Sequence, residues 1–153
     1  PRDWSSDVCS SDLKPTIVLC SHYMDFNIDP ADMCKELNTL MEFVNAGKHK
    51  LLISADANAH SPLWGSADLN PRGTSLEEWI ISNARDIENV GLVPTFYRED
   101  RESVIDITLS MNLMVENWRV DTELQISDHR PILFTIPLNG KIKIKARNLK
   151  KAN

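Results

Sequence analysis

Residues 51–60 read Leu51-Leu52-Ile53-Ser54-Ala55-Asp56-Ala57-Asn58-Ala59-His60, an apolar run that ends in a carboxylate, an amide and an imidazole. The run predicts a buried strand over 51–55 that delivers Asp56 and Asn58 at its end. Side chains alternate along an extended chain, so Asp56 and Asn58 project toward the same mouth. Two later segments share this design. Val104-Ile105-Asp106-Ile107-Thr108-Leu109 sets an aspartate between isoleucines, and Ser127-Asp128-His129 precedes Arg130-Pro131-Ile132, where a loop gives way to a strand. Three acids, an amide and a histidine thus lie at the ends or edges of strand-like segments. That distribution suits a divalent metal and a phosphate better than a hydrophobic core.

Working outward, Thr16-Ile17-Val18-Leu19-Cys20 predicts another buried strand. Asp29-Pro30 supplies an N-cap and a first-turn proline for a helix that Gly47 can close. Met33, Leu37, Leu40, Met41 and Val44 recur at helical spacing and form its inner face. Residues 60–72 are loop-like, with Pro62, Gly65 and Pro71. Thr74-Ser75-Leu76-Glu77 reads as a capping box and predicts a second helix to about Asn89, stopped by Gly91, with Leu76, Trp79, Ile80 and Ile87 inward. Further strands are expected near 93–97, 104–110, 118–124 and 131–136. Strands interspersed with two helices argue an α/β or α+β sheet protein.

With 153 residues, 42% hydrophobic and 25% charged, the chain reads as one globular domain or a piece of one. No apolar stretch approaches the ~20 residues of a membrane helix, no signal peptide opens the chain, and no membrane partner is expected. Cys9, Cys20 and Cys34 lack CxxC spacing, which points to a reduced compartment rather than a disulfide framework or a zinc site. Six of the 17 Lys and Arg fall in a tail at Lys141, Lys143, Lys145, Arg147, Lys150 and Lys151. Residues 1–140 then hold 11 basic against 22 acidic residues, a net charge of −11. So acidic a body is a poor nonspecific binder of DNA unless metal ions and local arginines offset it.

The segment Asp3 to Leu13, DWSSDVCSSDL, has neither helical nor strand periodicity, and it back-translates to a common short-read sequencing adapter. Residues 1–13 are therefore read as adapter-derived and excluded from fold reasoning. Residues 14–138 form the expected domain, and 139–153 a basic linker.

Phosphodiester hydrolysis needs charge neutralisation by a metal, an activated water, a donor to the developing negative charge and help for the leaving group. Asp128 supplies a hard oxygen ligand, and His129 can donate to a phosphate oxygen. Asp106 could hold that imidazole through its other nitrogen. Of Asp56 and Asn58, the carboxylate could orient water or join the metal while the amide fixes the phosphate. Plainer readings stand beside these. Asp56 and Asn58 could simply cap a loop, and a lone His129 could be structural. Asp106 is harder to dismiss, because a carboxylate between Ile105 and Ile107 needs a partner wherever it points inward.

The ensemble ADANAHSPLWGS, DLNPRGTSLEEWI, VGLVPTFYR, SVIDITLS and SDHRPI resembles the endonuclease/exonuclease/phosphatase superfamily. Within it, the chain is most similar to the apurinic-like endonuclease domain of jockey-like non-LTR retrotransposons. The similarity runs from about Thr16 to Pro137. It implies a four-layer sandwich of two mixed β-sheets flanked by helices, with the first strands missing. By resemblance, Asp56, Asn58, Asp106, Asp128, His129 and Tyr23 are catalytic, with Asp128 and Asp56 on the metal and Tyr23 on the scissile phosphate. Arg72 and Arg98 are DNA-contact candidates, with solvated loop arginines as the plain alternative. The implied activity is Mg2+- (or Mn2+-) dependent nicking of target DNA, which primes a reverse transcriptase domain of the same polyprotein. Nuclear action follows from that substrate.

Two departures qualify the resemblance. The usual GDFN-like start reads Ser54-Ala55-Asp56-Ala57-Asn58, and nothing before Thr16 matches the family's strand Asn or its metal-binding Glu. On this reading the chain is the C-terminal two-thirds of the domain. Two alternatives follow: a superfamily phosphomonoesterase, and a catalytically dead remnant or DNA-binding fragment.

Overall fold

The computed structural model describes residues 16–124 and 126–137. The adapter-like segment and the basic linker of the sequence reading lie outside the described residues. The architecture is a mixed α/β arrangement built on one four-stranded sheet. Strand β1 (Ile17–Tyr23) leads through helix α1 (Pro30–Ala46) into β2 (Lys50–Asp56). The two strands pair in parallel, as a helical crossover permits. Helix α2 (Pro71–Ser82) follows, then β3 (Asp86–Ile87), a hairpin of β4 (Phe96–Arg98) and β5 (Arg101–Ser103), the strand β6 (Asp106–Met111), and β7 (Glu116–Val120) paired with β8 (Ile132–Thr135). The main sheet runs in the order β1-β2-β6-β3, with β6 antiparallel to both of its neighbours.

The two-residue period of a strand divides this sheet into two faces. Leu51, Ile53 and Ala55 of β2 and Ile107, Leu109 and Met111 of β6 pack in one core with Met33, Leu37, Met41 and Val44 of α1 and Leu76, Trp79 and Ile80 of α2. Both helices therefore cover the same face. The opposite face carries Ser54, Asp56, Asp106, Thr108 and Ser110, and the β7–β8 pair lies over part of it. Trp118 Nε1 reaches across from β7 to donate to Thr108 Oγ1 at 3.0 Å.

Helix α1 starts where expected, with Asp29 Oδ1 accepting from the Ala31 N–H at 2.8 Å and Pro30 in the first turn. Its end differs in detail. Gly47 is the C-cap but is right-handed, and the left-handed residue is Lys48. A Cβ at Gly47 would meet the His49 ring, which would have to swing aside.

The second helix corrects the capping-box reading. It begins at Pro71, because Asn70 Oδ1 accepts from the Gly73 N–H at 2.7 Å and, from outside the helix, from the His60 N–H at 3.1 Å. Glu77 accepts from Ser61 Oγ instead of returning to Thr74. The helix also ends at Ser82 rather than near Asn89. Ala84 turns left-handed at φ 49°, while the Ala84 N–H donates to Ile81 O at 3.2 Å and the Arg85 N–H to Ile80 O at 3.1 Å. This is a Schellman closure with alanine where glycine is usual. It frees Asp86 and Ile87 to pair with Ser110 and Leu109, so Ile87 reaches the core from a strand.

An L-residue in the left-handed region is strained by its Cβ. Ala84→Gly is therefore expected to raise stability by about 1 kcal/mol, read as a higher urea midpoint at unchanged slope. An unchanged or lower midpoint would show that the turn carries no such strain.

Candidate active site

Strand register assembles the site. Tyr23 lies opposite Asp56 in the β1–β2 pair, and Asp56 lies opposite Asp106 in the β2–β6 pair. Two carboxylates thus stand side by side at one end of the sheet, on the face away from the helices. The histidine arrives from a different direction. Segment 128–130 runs antiparallel to β4, with the Tyr97 N–H donating to Asp128 O at 2.8 Å, the Arg130 N–H donating to Thr95 O at 2.7 Å, and a bridge between Phe96 and His129. The His129 ring meets the edge of Phe96 with centroids 5.1 Å apart. Its Nδ1 sits 2.9 and 3.1 Å from the two oxygens of Asp106, and its Nε2 is 3.7 Å from Asp56 Oδ2. A carboxylate accepts, so Nδ1 carries the proton and donates to Asp106. The three side chains line a cavity of about 440 Å³, together with Ser21, Ser54 and Phe134.

Burial pushes the Asp56 carboxyl above the ordinary aspartate range, and the neighbouring Asp106 charge adds to the effect. The Asn58 N–H, donating to Asp56 Oδ1 at 3.2 Å, His129 and Arg72 oppose it. Asp56 is thus an acid whose ionised form the fold disfavours, at a place that would welcome a cation.

The sequence matches the endonuclease–reverse transcriptase family over residues 17–133. The chain belongs to that family. Among its relatives is the retrovirus-related Pol polyprotein from the type-1 retrotransposable element R1 of Bradysia coprophila, 32% identical over 111 residues. That alignment covers 65% of this chain and 11% of the polyprotein. Among solved structures, the endonuclease domain of TRAS1, a telomere-specific non-LTR retrotransposon, superposes with a TM-score of 0.70 at 28% identity. The match covers 77% of this chain and 56% of the TRAS1 chain.

Within this chain, the sequence-derived candidates fall into distinct places. Asp56, Asp106 and His129 converge. Asp128 does not join them. It is 54% exposed, lies 3.7 Å from Arg98, and lines a neighbouring cavity of about 260 Å³ with Tyr97, Arg98 and Ser127. The reason is alternation: once His129 turns inward on an extended segment, Asp128 must turn the other way. Asp56 and Asp128, the two expected metal ligands, line different cavities. Asn58 is left-handed at φ 47°, and its amide donates to Met24 O at 3.1 Å, so its backbone rather than its side chain reaches Asp56. Tyr23 is 63% exposed, next to the cavity-lining His22. Arg98 is exposed on the β4–β5 hairpin.

Arg72 corrects the expectation of a DNA contact. It is 6% exposed, and its guanidinium donates to Ile28 O at 2.8 Å, Met24 O at 3.2 Å and Ala57 O at 3.3 Å. It ties the loop after β1 to the loop after β2. Its partners come from distant loops, so no local signal in Asn70-Pro71-Arg72-Gly73 announces the role. Thr95, Phe96 and Arg130 also frame the site and were not singled out in the sequence, because a strand threonine, an aromatic and a loop arginine carry no distinctive pattern.

Among the described residues, no three His, Cys, Asp or Glu side chains gather as a ready metal cage. The donor chemistry at Asp56 still fits a hard divalent cation, which binds through one or two carboxylates and keeps water or phosphate for the rest of its shell. No described helix is long and apolar enough to cross a membrane.

Two outcomes follow. Asp56 has its carboxyl raised in the fold, so its contribution to stability is full below the ordinary value of 3.8 and is lost as pH rises through the raised one. Asp56→Asn should therefore melt above the parent protein at neutral pH, with the difference vanishing at acidic pH. Thermal melts across pH 3–7 check this, and a variant that is less stable at neutral pH would contradict it. Arg72→Lys keeps the charge but loses the planar fork, and should cost about 2 kcal/mol in denaturant unfolding. Unaltered stability with a shallower salt dependence of DNA binding would restore Arg72 to the surface role.

Proposed function

We propose that this chain carries the phosphodiester-hydrolysing site of a retrotransposon endonuclease, which nicks one strand of target DNA to leave a 3′-hydroxyl for reverse transcription. The observation that carries this reading is the His129 imidazole set between the Asp106 and Asp56 carboxylates at a polar cavity. In the proposed reaction a water oxygen attacks phosphorus, and the bond from phosphorus to the 3′ oxygen breaks. Asp56 orients the water and takes its proton. His129, held through Nδ1 by Asp106, acts in its doubly protonated form, in which Nε2–H donates to a non-bridging oxygen and stabilises the charge that gathers there. The departing 3′ oxygen takes up a proton from solvent water and becomes the hydroxyl. A divalent metal, Mg2+ in this reading, would be held by Asp56 and would supply charge neutralisation on the phosphate.

Tyr23 and Asn58 stand beside Asp56 and would complete the phosphate contacts. Asn58 must first release Met24 O to do so. Arg98, beside Asp128, flanks the cleft on the hairpin side and would contact the DNA next to the scissile bond. The reverse transcriptase of the same polyprotein is the proposed partner, and the nucleus the place of action.

The test is nicking of supercoiled plasmid by the purified chain with Mg2+, against EDTA and against His129→Ala and Asp106→Asn. Each variant should lower the rate by about 10²–10³-fold. A parent protein no faster than His129→Ala would count against hydrolysis at this site. Preferential release of phosphate from inositol phosphates or other monoesters would move the substrate away from DNA.

A further inference from the structure

We propose that Thr95 is a positioning residue for the Asp106–His129 pair, acting through the backbone and never touching the substrate. The inference rests on the hydrolytic reading of the cleft. Thr95 is fully buried at the entry to β4. Its Oγ1 accepts from two successive amides, the Ile105 N–H at 3.1 Å and the Asp106 N–H at 3.0 Å. Its own N–H donates to Ser103 O at 3.0 Å, and its carbonyl accepts from the Arg130 N–H at 2.7 Å. One residue thus holds the first residue of β6, which bears the carboxylate, and the residue that follows the histidine.

The consequence is geometric. Asp106 opens its strand: its carbonyl accepts from Asn89 Nδ2 at 2.9 Å, and the Thr95 hydroxyl is the acceptor that holds its N–H. On the other side, the bonds from Arg130 to Thr95 and from Tyr97 to Asp128 bracket His129 and set the height of its ring above the sheet. Both oxygens of Asp106 then meet Nδ1 squarely. Buried amides seek an acceptor. Without the hydroxyl, the two amides converging on Oγ1 would rotate toward other partners and carry the carboxylate with them. Catalysis is sensitive to displacements well under 1 Å in the groups that act on the reacting atoms.

The test compares the full chain with Thr95→Val, which keeps the shape and removes the hydroxyl, and Thr95→Ser, which keeps the oxygen. In plasmid nicking, Thr95→Val should lower kcat by about 10–100-fold with KM within about twofold, and Thr95→Ser should stay within about threefold of the parent. Amide hydrogen exchange and imidazole NMR signals give a readout that needs no turnover. The Asp106 amide should be protected in the parent and in Thr95→Ser, and in Thr95→Val it should lose protection while the His129 ring signals shift. Equal losses of kcat in both variants, or an unchanged kcat and Asp106 amide in Thr95→Val, would overturn the proposal. Should Thr95→Val fail to fold, an Asp106 amide in the parent that exchanges like an exposed one would overturn it as well. A parent protein that nicks no DNA would sink the hydrolytic reading alone, and the NMR comparison would still decide the role of Thr95.

Discussion

The antiparallel register between β2 and β6 is the constraint on which the rest of the site depends. It places Asp56 opposite Asp106, two like charges on adjacent strands, an arrangement that ordinarily destabilises a sheet. The fold accepts this because the same register aligns Leu51, Ile53 and Ala55 with Met111, Leu109 and Ile107, whose side chains enter the helix-covered core. A slip of either strand by one residue would turn that strand's apolar side chains out of the core and carry its aspartate inward. Core packing therefore fixes the position of the carboxylates, and the strain between them is carried by apolar burial on the opposite face. His129 enters that gap with both ring nitrogens toward carboxylate oxygens.

Around this register, the connecting segments are held by polar ties as well as by the buried side chains of Met24, Trp64 and Val104. Asn70 joins His60 to the first turn of α2, Arg72 gathers carbonyls from the loops after β1 and β2, and Thr95 fastens the start of β6. Gly73 shows how close the approach is, since a Cβ there would meet the His60 carbonyl. A buried guanidinium surrounded by carbonyls, with no carboxylate partner among its hydrogen bonds, suits a place where several loops must be located at once, because its donors fan out in a plane.

Some of this was legible from the sequence, and the residues explain the boundary. Asp29-Pro30 announced a helix because capping is a local interaction, complete within three residues. Asp106 announced a site because an acid between isoleucines has no cheap solution. Asn70 was hidden by a competing local pattern at Thr74, since the bond that decides the matter runs to His60, ten residues away. Ile87 kept helical spacing and still became a strand residue, because pairing with Leu109 is a long-range event. Arg72 could not be told from a surface arginine without the three carbonyls that surround it. The separation of Asp128 from His129 was the readable exception, for adjacent residues in an extended segment oppose one another whatever else the chain does.

That opposition organises the surface around the cleft. Segment 128–130 is one wall shared by two cavities, with His129 facing the carboxylates, Asp128 facing Arg98, and Arg130 bordering both. Arg130 is also the rivet of the β4–β5 hairpin, donating to Pro94 O at 3.0 Å, lying 3.5 Å from Glu102 and standing 5.5 Å over the Tyr97 ring. The imidazole and the exposed hairpin are thus held by the same short stretch of backbone. A movement of the hairpin would be transmitted to His129 through the Thr95–Arg130 and Tyr97–Asp128 bonds, because β4 is the template on which that stretch is laid. In this geometry, the exposed hairpin and the imidazole beside the two carboxylates cannot be placed independently.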